Sequence, residues 1–220
     1  MALLDRTFAA VLFDNDGTLV SSLGSVQRSW VAWAQEYGVD LTGLDGMHGV
    51  PAAGIIARLA PHVDADAALA RISELEVADT DDVEALPGAR EAVAAISPAG
   101  QPARHAVATS AHRELAAVRL QAAGIEVPAA FVTIEDVERG KPDPAPFVLA
   151  AQRLGVDPAD CLVCEDAPTG IAAARAAGCA VLAVTTTSDA DALTEADLVV
   201  DSLAQVRFVR EGDRVRVTGA

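Results

Sequence analysis

The sequence predicts an α/β fold: a doubly wound parallel sheet, interrupted by an inserted helical module and closed by a C-terminal hairpin. Three observations carry this expectation. Six short apolar runs are continuous rather than alternating, as strands covered on both faces must be. Ala-rich helical stretches separate several of them. Between 21 and 85 helical signals dominate and no buried-strand run occurs.

Taken in order, the first run is Phe8 to Phe13, and it ends on Asp14-Asn15-Asp16-Gly17-Thr18. The inserted module follows, with helices expected over Val26 to Tyr37 and Ala65 to Val77; Trp30 and Trp33 stand three apart, the spacing that packs a helix face. Leu86-Pro87-Gly88 marks the return to the core, so the core is expected over 1–20 and 86–220 and the helical module over 21–85. A helix over Ala89 to Ile96 stops at Ser97-Pro98. The second run is His105 to Thr109, followed by a helix over Ala111 to Ala123 with Ser110 as N-cap and Gly124 as terminator. Runs three to six are Ala130 to Thr133, Cys161 to Cys164, Cys179 to Val184 and Leu198 to Val200; Ile171 to Ala177 forms a helix closed by Gly178. Val206 to Val209 and Arg214 to Val217 flank Glu211-Gly212-Asp213 as a terminal hairpin.

Composition narrows the function. Acidic residues outnumber basic ones 32 to 16, a formal charge of -16, so the overall field repels nucleic acid and anionic membrane surfaces. An anionic substrate then needs local positive charge. There is no secretory signal pattern at the start, and no stretch of roughly 20 apolar residues to cross a bilayer. Cys161-Leu162-Val163-Cys164 lies in a strand-like segment, where residues three apart face opposite ways, and no second pair or His cluster accompanies it. Buried reduced thiols in a cytoplasmic protein are the expectation.

In a doubly wound sheet the ligand crevice lies beyond the carboxyl ends of the strands. Four such ends carry polar groups: Asp14 and Asp16; Thr109 and Ser110; Lys141, in a loop after Arg139-Gly140; and Glu165 with Asp166. If the extended conformation persists through Asn15, Asp14 and Asp16 project to the same side, and such a pair suggests a divalent metal site or an acid/base dyad. Plainer readings exist for each: a turn cap for the Asp pair, an N-cap for Thr109 and Ser110, a solvated loop position for Lys141, a helix cap for Glu165 and Asp166. The convergence of a hydroxyl, a lysine and two acidic pairs on one edge favours a phosphate and metal site.

The chain resembles the haloacid dehalogenase superfamily. Four motifs carry the resemblance, in order: Asp14-Asn15-Asp16-Gly17-Thr18, Val107-Ala108-Thr109-Ser110, Gly140-Lys141-Pro142-Asp143-Pro144 and Glu165-Asp166-Ala167-Pro168-Thr169-Gly170. With a helical insert between the first two, the chain is similar to the subgroup with a type I cap on a Rossmann-type core. The resemblance covers Ala9 to about Thr187. It implies that Asp14 is a nucleophile forming an aspartyl-phosphate, which divides one hard displacement into two. It implies that Asp16 protonates the leaving alkoxide and then deprotonates water. Mg²⁺ would be held by Asp14, the backbone carbonyl of Asp16, and Asp166, with Glu165 behind them or as a further ligand. Asn15, Thr109, Ser110 and Lys141 would bind the phosphoryl group, Thr109 and Lys141 stabilising its charge in transfer.

Within that superfamily dehalogenases lack the second aspartate, so Asp16 argues against dehalogenation. Phosphomutases of this cap type carry a histidine twelve residues after the nucleophile, where Val26 stands here. A phosphatase is therefore favoured over a mutase, and the cap with the stretches Leu86 to Ile96 and Glu135 to Thr187 most resembles the small sugar-phosphate and polyol-phosphate phosphatases, including the 2-deoxyglucose-6-phosphate and glycerol-phosphate types. A hexose phosphomutase and a non-catalytic phosphometabolite-binding protein are the rivals. His48-Gly49 resembles the substrate-facing element of such caps, although Pro51 and Ala52 stand where relatives often carry an arginine; His48 serves substrate contact or packing. The expected partner is a small phosphorylated metabolite, with no nucleic acid and no membrane, and the chain is expected to act as a monomer.

Overall fold

The computed structural model describes residues 3–41, 52–98 and 100–220. The chain divides into two compact units, one of Met1–Ser21 with Glu84–Ala220, the other of Ser22–Val83. In chain order the strands and α-helices are β1 (Thr7–Phe8), β2 (Ala10–Phe13), β3 (Val20–Ser21), α1 (Leu23–Tyr37), α2 (Ala52–Leu59), α3 (Ala65–Ala78), β4 (Glu84–Ala85), α4 (Ala89–Ile96), β5 (His105–Ala108), α5 (Arg113–Ala122) and β6 (Phe131–Val132). There follow α6 (Ala145–Leu154), β7 (Cys161–Glu165), α7 (Pro168–Ala176), β8 (Ala180–Val184), β9 (Leu198–Val200), β10 (Val206–Glu211) and β11 (Arg214–Gly219).

The larger unit is built on a six-stranded sheet of order β6-β5-β2-β7-β8-β9. Every neighbouring pair is parallel. The six apolar runs of the sequence are these six strands. Their order places the third, second and first runs on one side and the fourth to sixth on the other, so the direction in which strands are added to the sheet reverses between β2 and β7. A ligand crevice belongs at that reversal.

Both faces of the sheet are buried, and strand alternation sorts the side chains between them. Val11, Phe13, Val107, Leu162, Cys164 and Leu182 enter one core. Ala10, Leu12, Ala106, Cys161, Val163 and Val181 enter the other. Cys161 and Cys164 thus face opposite ways, and all three cysteines are free and buried. Burial raises the thiols of Cys161 and Cys179 to about 12, which leaves them protonated and unreactive at neutral pH.

The first apolar run serves two sheets. Thr7 and Phe8 pair antiparallel with β11, whereas Ala10 to Phe13 join the parallel sheet. The predicted hairpin is therefore two strands of a three-stranded sheet, β1-β11-β10. Its buried side chains Phe208, Val215 and Val217 belong to the same core as Phe13, and the Phe13 and Phe208 rings meet edge-on at 6.1 Å.

Two helix starts differ from the sequence expectation. Ser110 is not an N-cap: α5 begins at Arg113 with His112 in the capping position. The reason is local, since Thr109 Oγ1 accepts from the Ala111 N–H at 3.1 Å and the Ala111 carbonyl accepts from Ile134 N–H, closing a turn before the helix. Conversely, α7 starts at Pro168, ahead of the predicted Ile171, because proline suits the first helical turn. Helices α2 and α6 were not anticipated.

The smaller unit has its own core. Trp30 and Trp33 of α1 pack edge-on at 5.4 Å, with Ile55 and Ile56 of α2 and Ala68 and Ile72 of α3 around them. Trp33 Nε1 donates to the Ala68 carbonyl at 2.9 Å, so the one polar atom of a fully buried indole is satisfied. This is the packing role expected for both tryptophans. Among the described residues no helix is long and apolar enough to cross a membrane.

Candidate active site

Register brings the sequence motifs to one edge. Phe13, the last residue of β2, lies opposite Val107 of β5 and Cys164 of β7. The next residues along, Asp14, Ala108 with Thr109, and Glu165 with Asp166, therefore emerge side by side. The Asp14 N–H donates to the Cys164 carbonyl at 3.0 Å, tying the two acidic strand ends together.

Lys141 joins them from the loop before α6. Its side chain is only 5% exposed, and Nζ lies 2.5 Å from Asp14 Oδ1 and 2.8 Å from Glu165 Oε1. Burial alone would lower its pKa, but the two carboxylates outweigh that and hold the ammonium above the usual lysine value. The Phe147 ring of α6 lies 4.9 Å from Nζ and forms an apolar floor. A buried lysine matched in this way stays charged.

Asp14, Glu165 and Asp166 are all buried, and each offers a carboxylate oxygen within 4.8 Å of the others. Burial pushes Asp14 well above the usual carboxylate range; Lys141 pulls the other way, and Glu165 and Asp166 add to the rise. Burial, then Glu165, raise Asp166 to about 7. Three carboxylates this close, still short of positive charge with a lysine among them, have the donor chemistry of a site for a hard divalent cation.

Backbone fixes the outer oxygens. Glu165 Oε2 accepts from the Asp166 and Ala167 N–H groups, each at 2.8 Å. A Cβ on Gly170 would sit 1.6 Å from Glu165 Oε1, and one on Gly17 would sit 2.0 Å from Asp166 Oδ2. Both motif glycines are thus spaces that the carboxylates fill. Gly17 in addition has φ +86°, a conformation glycine alone adopts without strain.

Asp16 is placed differently from its neighbour. Strand β2 stops at Phe13, so the extended conformation does not persist through Asn15, and the Asp16 carboxylate lies outside the three-carboxylate group. Its Oδ1 accepts from Arg119 Nη1 of α5 at 2.9 Å, and its Oδ2 from Asn15 Nδ2 at 3.3 Å. Thr109 is buried at the end of β5, and Ser110 is exposed in the turn that follows. His48 and Gly49 lie outside the described residues.

Two residues at this edge escaped the sequence reading. Thr187 Oγ1 donates to Asp166 Oδ2, while Thr18 Oγ1 approaches Asp166 Oδ1 at 3.5 Å. Thr187 follows the buried run of β8, and inspecting that fifth strand end would have found it. Arg119 is the other; its signal is a cation on the helix face that otherwise buries Leu115, Ala116 and Leu120.

A family model described as haloacid dehalogenase-like hydrolase matches residues 8–178. Hexitol phosphatase A of Escherichia coli strain K12 is 38% identical over 204 residues, covering 91% of this chain and 94% of that protein. Glycerol-1-phosphate phosphohydrolase 2 of Saccharomyces cerevisiae is 32% identical, covering 90% and 84%. The crystal structure of CbbY from Rhodobacter sphaeroides in complex with phosphate superposes with a TM-score of 0.78 over 90% of this chain and 96% of that one; at 23% identity this likeness is one of fold.

Proposed function

The chain belongs to the haloacid dehalogenase-like hydrolases, and from that premise we propose that it is a Mg²⁺-dependent phosphatase acting on a small phosphorylated sugar or polyol through an aspartyl-phosphate. The observation that carries this reading is Lys141 Nζ set between Asp14 and Glu165, with Asp166 beside them, where β2 and β7 end. The substrate class rests on the hexitol and glycerol phosphatases to which the chain is similar.

In this reading an Asp14 oxygen attacks phosphorus in line, and the bond to the leaving alkoxide breaks as Asp16 supplies a proton. Water then attacks the same phosphorus while Asp16 takes its proton back, releasing phosphate and restoring Asp14. Lys141 has three N–H donors, two of them directed at Asp14 and Glu165, which leaves one for a phosphoryl oxygen. Asn15, Thr109 and the backbone at Ser110 border the same edge and complete the phosphate grip. Asp14, Asp166 and the Asp16 carbonyl would hold Mg²⁺, with Glu165 steering Lys141 and the following backbone. When bound, the ion supplies the positive charge that offsets repulsion between carboxylate and phosphate. His48 and Gly49 remain candidates for substrate contact. The reading takes the chain as a monomer in the cytoplasm.

A panel of hexitol, pentitol, glycerol and hexose phosphates, assayed for released phosphate with and without Mg²⁺, tests it. Phosphate release from at least one polyol or sugar ester is expected, lost in EDTA and lost in Asp14→Asn. Isomerisation of a sugar 1-phosphate without release would identify a mutase instead, and binding without turnover would identify a receptor.

A further inference from the structure

We propose that Arg119 is a positioning residue for Asp16, holding the carboxyl group so that its proton passes between Oδ2 and the ester oxygen. This rests on the phosphatase reading above and extends it to a residue outside the four motifs. Arg119 sits on the buried face of α5, its side chain 6% exposed, and reaches Asp16 across 103 residues of sequence. Taking a guanidinium out of water is costly unless its charge is matched, and an apolar residue would fill that face of α5 at no such cost. The Asp16 side chain is 28% exposed, so its charge does not require a buried partner. The contact therefore matches the buried guanidinium and at the same time fixes the direction of a carboxyl group that solvent alone would leave free to turn.

Both oxygens of Asp16 are engaged, Oδ1 by Arg119 Nη1 at 2.9 Å and Oδ2 by Asn15 Nδ2 at 3.3 Å. A carboxyl group whose Oδ1 accepts a charge-assisted hydrogen bond carries its proton on Oδ2, where the long Asn15 contact yields easily. In the first half-reaction the Oδ2–H bond breaks, an O–H bond forms on the departing alcohol, and the P–O electron pair goes to that oxygen as Asp14 bonds to phosphorus. In the second, a water O–H bond breaks and Oδ2–H reforms, the water oxygen bonds to phosphorus, and the Asp14–phosphorus bond opens with its electron pair returning to the Asp14 carboxylate.

The dependence on leaving group tests this. An alkyl alkoxide cannot depart without a proton, whereas p-nitrophenolate can. With the Mg²⁺-loaded protein, rapid-quench single-turnover rates of transfer to Asp14 are measured for p-nitrophenyl phosphate and for whichever alkyl phosphate the panel shows to be the best substrate. Arg119→Met should slow the alkyl ester by about tenfold or more, a fraction of what general acid catalysis typically provides, and the aryl ester by less than about threefold. Arg119→Lys should recover part of the alkyl rate, and it carries the same comparison should the methionine variant fail to fold. In an Asp16→Asn background the alkyl penalty of Arg119→Met should vanish. Equal slowing of both esters, an unchanged alkyl rate, or a penalty that persists in Asp16→Asn would overturn the assignment. Failure of the wild-type protein to release phosphate from any ester would overturn the phosphatase reading, and this assignment with it.

Discussion

Burial of a charged group is tolerated where its partners are fixed in advance, and at the candidate site Lys141, Glu165 and Asp166 have such partners. Lys141 has Asp14 and Glu165, Glu165 has two backbone N–H groups, and Asp166 has Thr187 and Thr18. His105 is the contrasting case. It lies in the core beside Phe13, with Nδ1 2.6 Å from Ser97 Oγ, and burial lowers its pKa from 6.5 to about 4. A depressed folded value means that the unfolded chain takes up the proton first, so the stability associated with neutral His105 is complete above pH 6.5 and is lost as pH falls towards 4. Relative to a His105→Gln variant, the wild-type protein should lose about 2 kcal/mol between pH 7 and pH 5. Urea midpoints of both proteins at the two pH values measure this, and parallel pH profiles would show that His105 does not titrate. Asp14, Glu165, Asp166 and Lys141 were legible in the sequence because each stands at the end of a buried run or inside a spaced motif. Arg119 and Thr187 were not, because their partners Asp16 and Asp166 lie 103 and 21 residues away and no local pattern links them.

At the scale of elements, burial on both faces explains what the sequence disclosed. A strand covered on two sides reads as an unbroken apolar run, and all six strands of the parallel sheet did so. Elements with weaker local signals were harder to see. Helix α6 begins among Pro142, Pro144 and Pro146, which disguise its start, and β1 was fused to β2 because Ala9, where the backbone bends between them, leaves the run of apolar residues unbroken. The C-terminal hairpin was visible from its turn, but its attachment was not. Phe208 of β10 packs against Phe13, the residue immediately before Asp14, so the hairpin helps to wall the strand that presents the nucleophile candidate. Phe208→Ala should therefore cost about 3–5 kcal/mol in urea unfolding, the range for emptying a buried aromatic site. A loss below about 1 kcal/mol would mean that the hairpin is a loose appendage.

For the whole molecule, the formal charge of -16 sets the background against which any cation or anion binds. A divalent ion among Asp14, Glu165 and Asp166 relieves local repulsion as well as adding to the overall balance, so it should bind the folded state in preference to the unfolded chain. Thermal unfolding should shift upward with Mg²⁺, by about 2.7 kcal/mol of stability at a hundredfold excess over Kd. Asp166→Asn should lose most of that shift; an equal shift in the variant would place the ion elsewhere. Chemistry at the site gives the most direct test. Incubation with a ³²P-labelled polyol phosphate substrate, acid quench and peptide mapping should place the label on the peptide carrying Asp14, with borohydride converting that residue to homoserine. Turnover with no acid-stable label on the protein, or label on any other residue, would contradict the account.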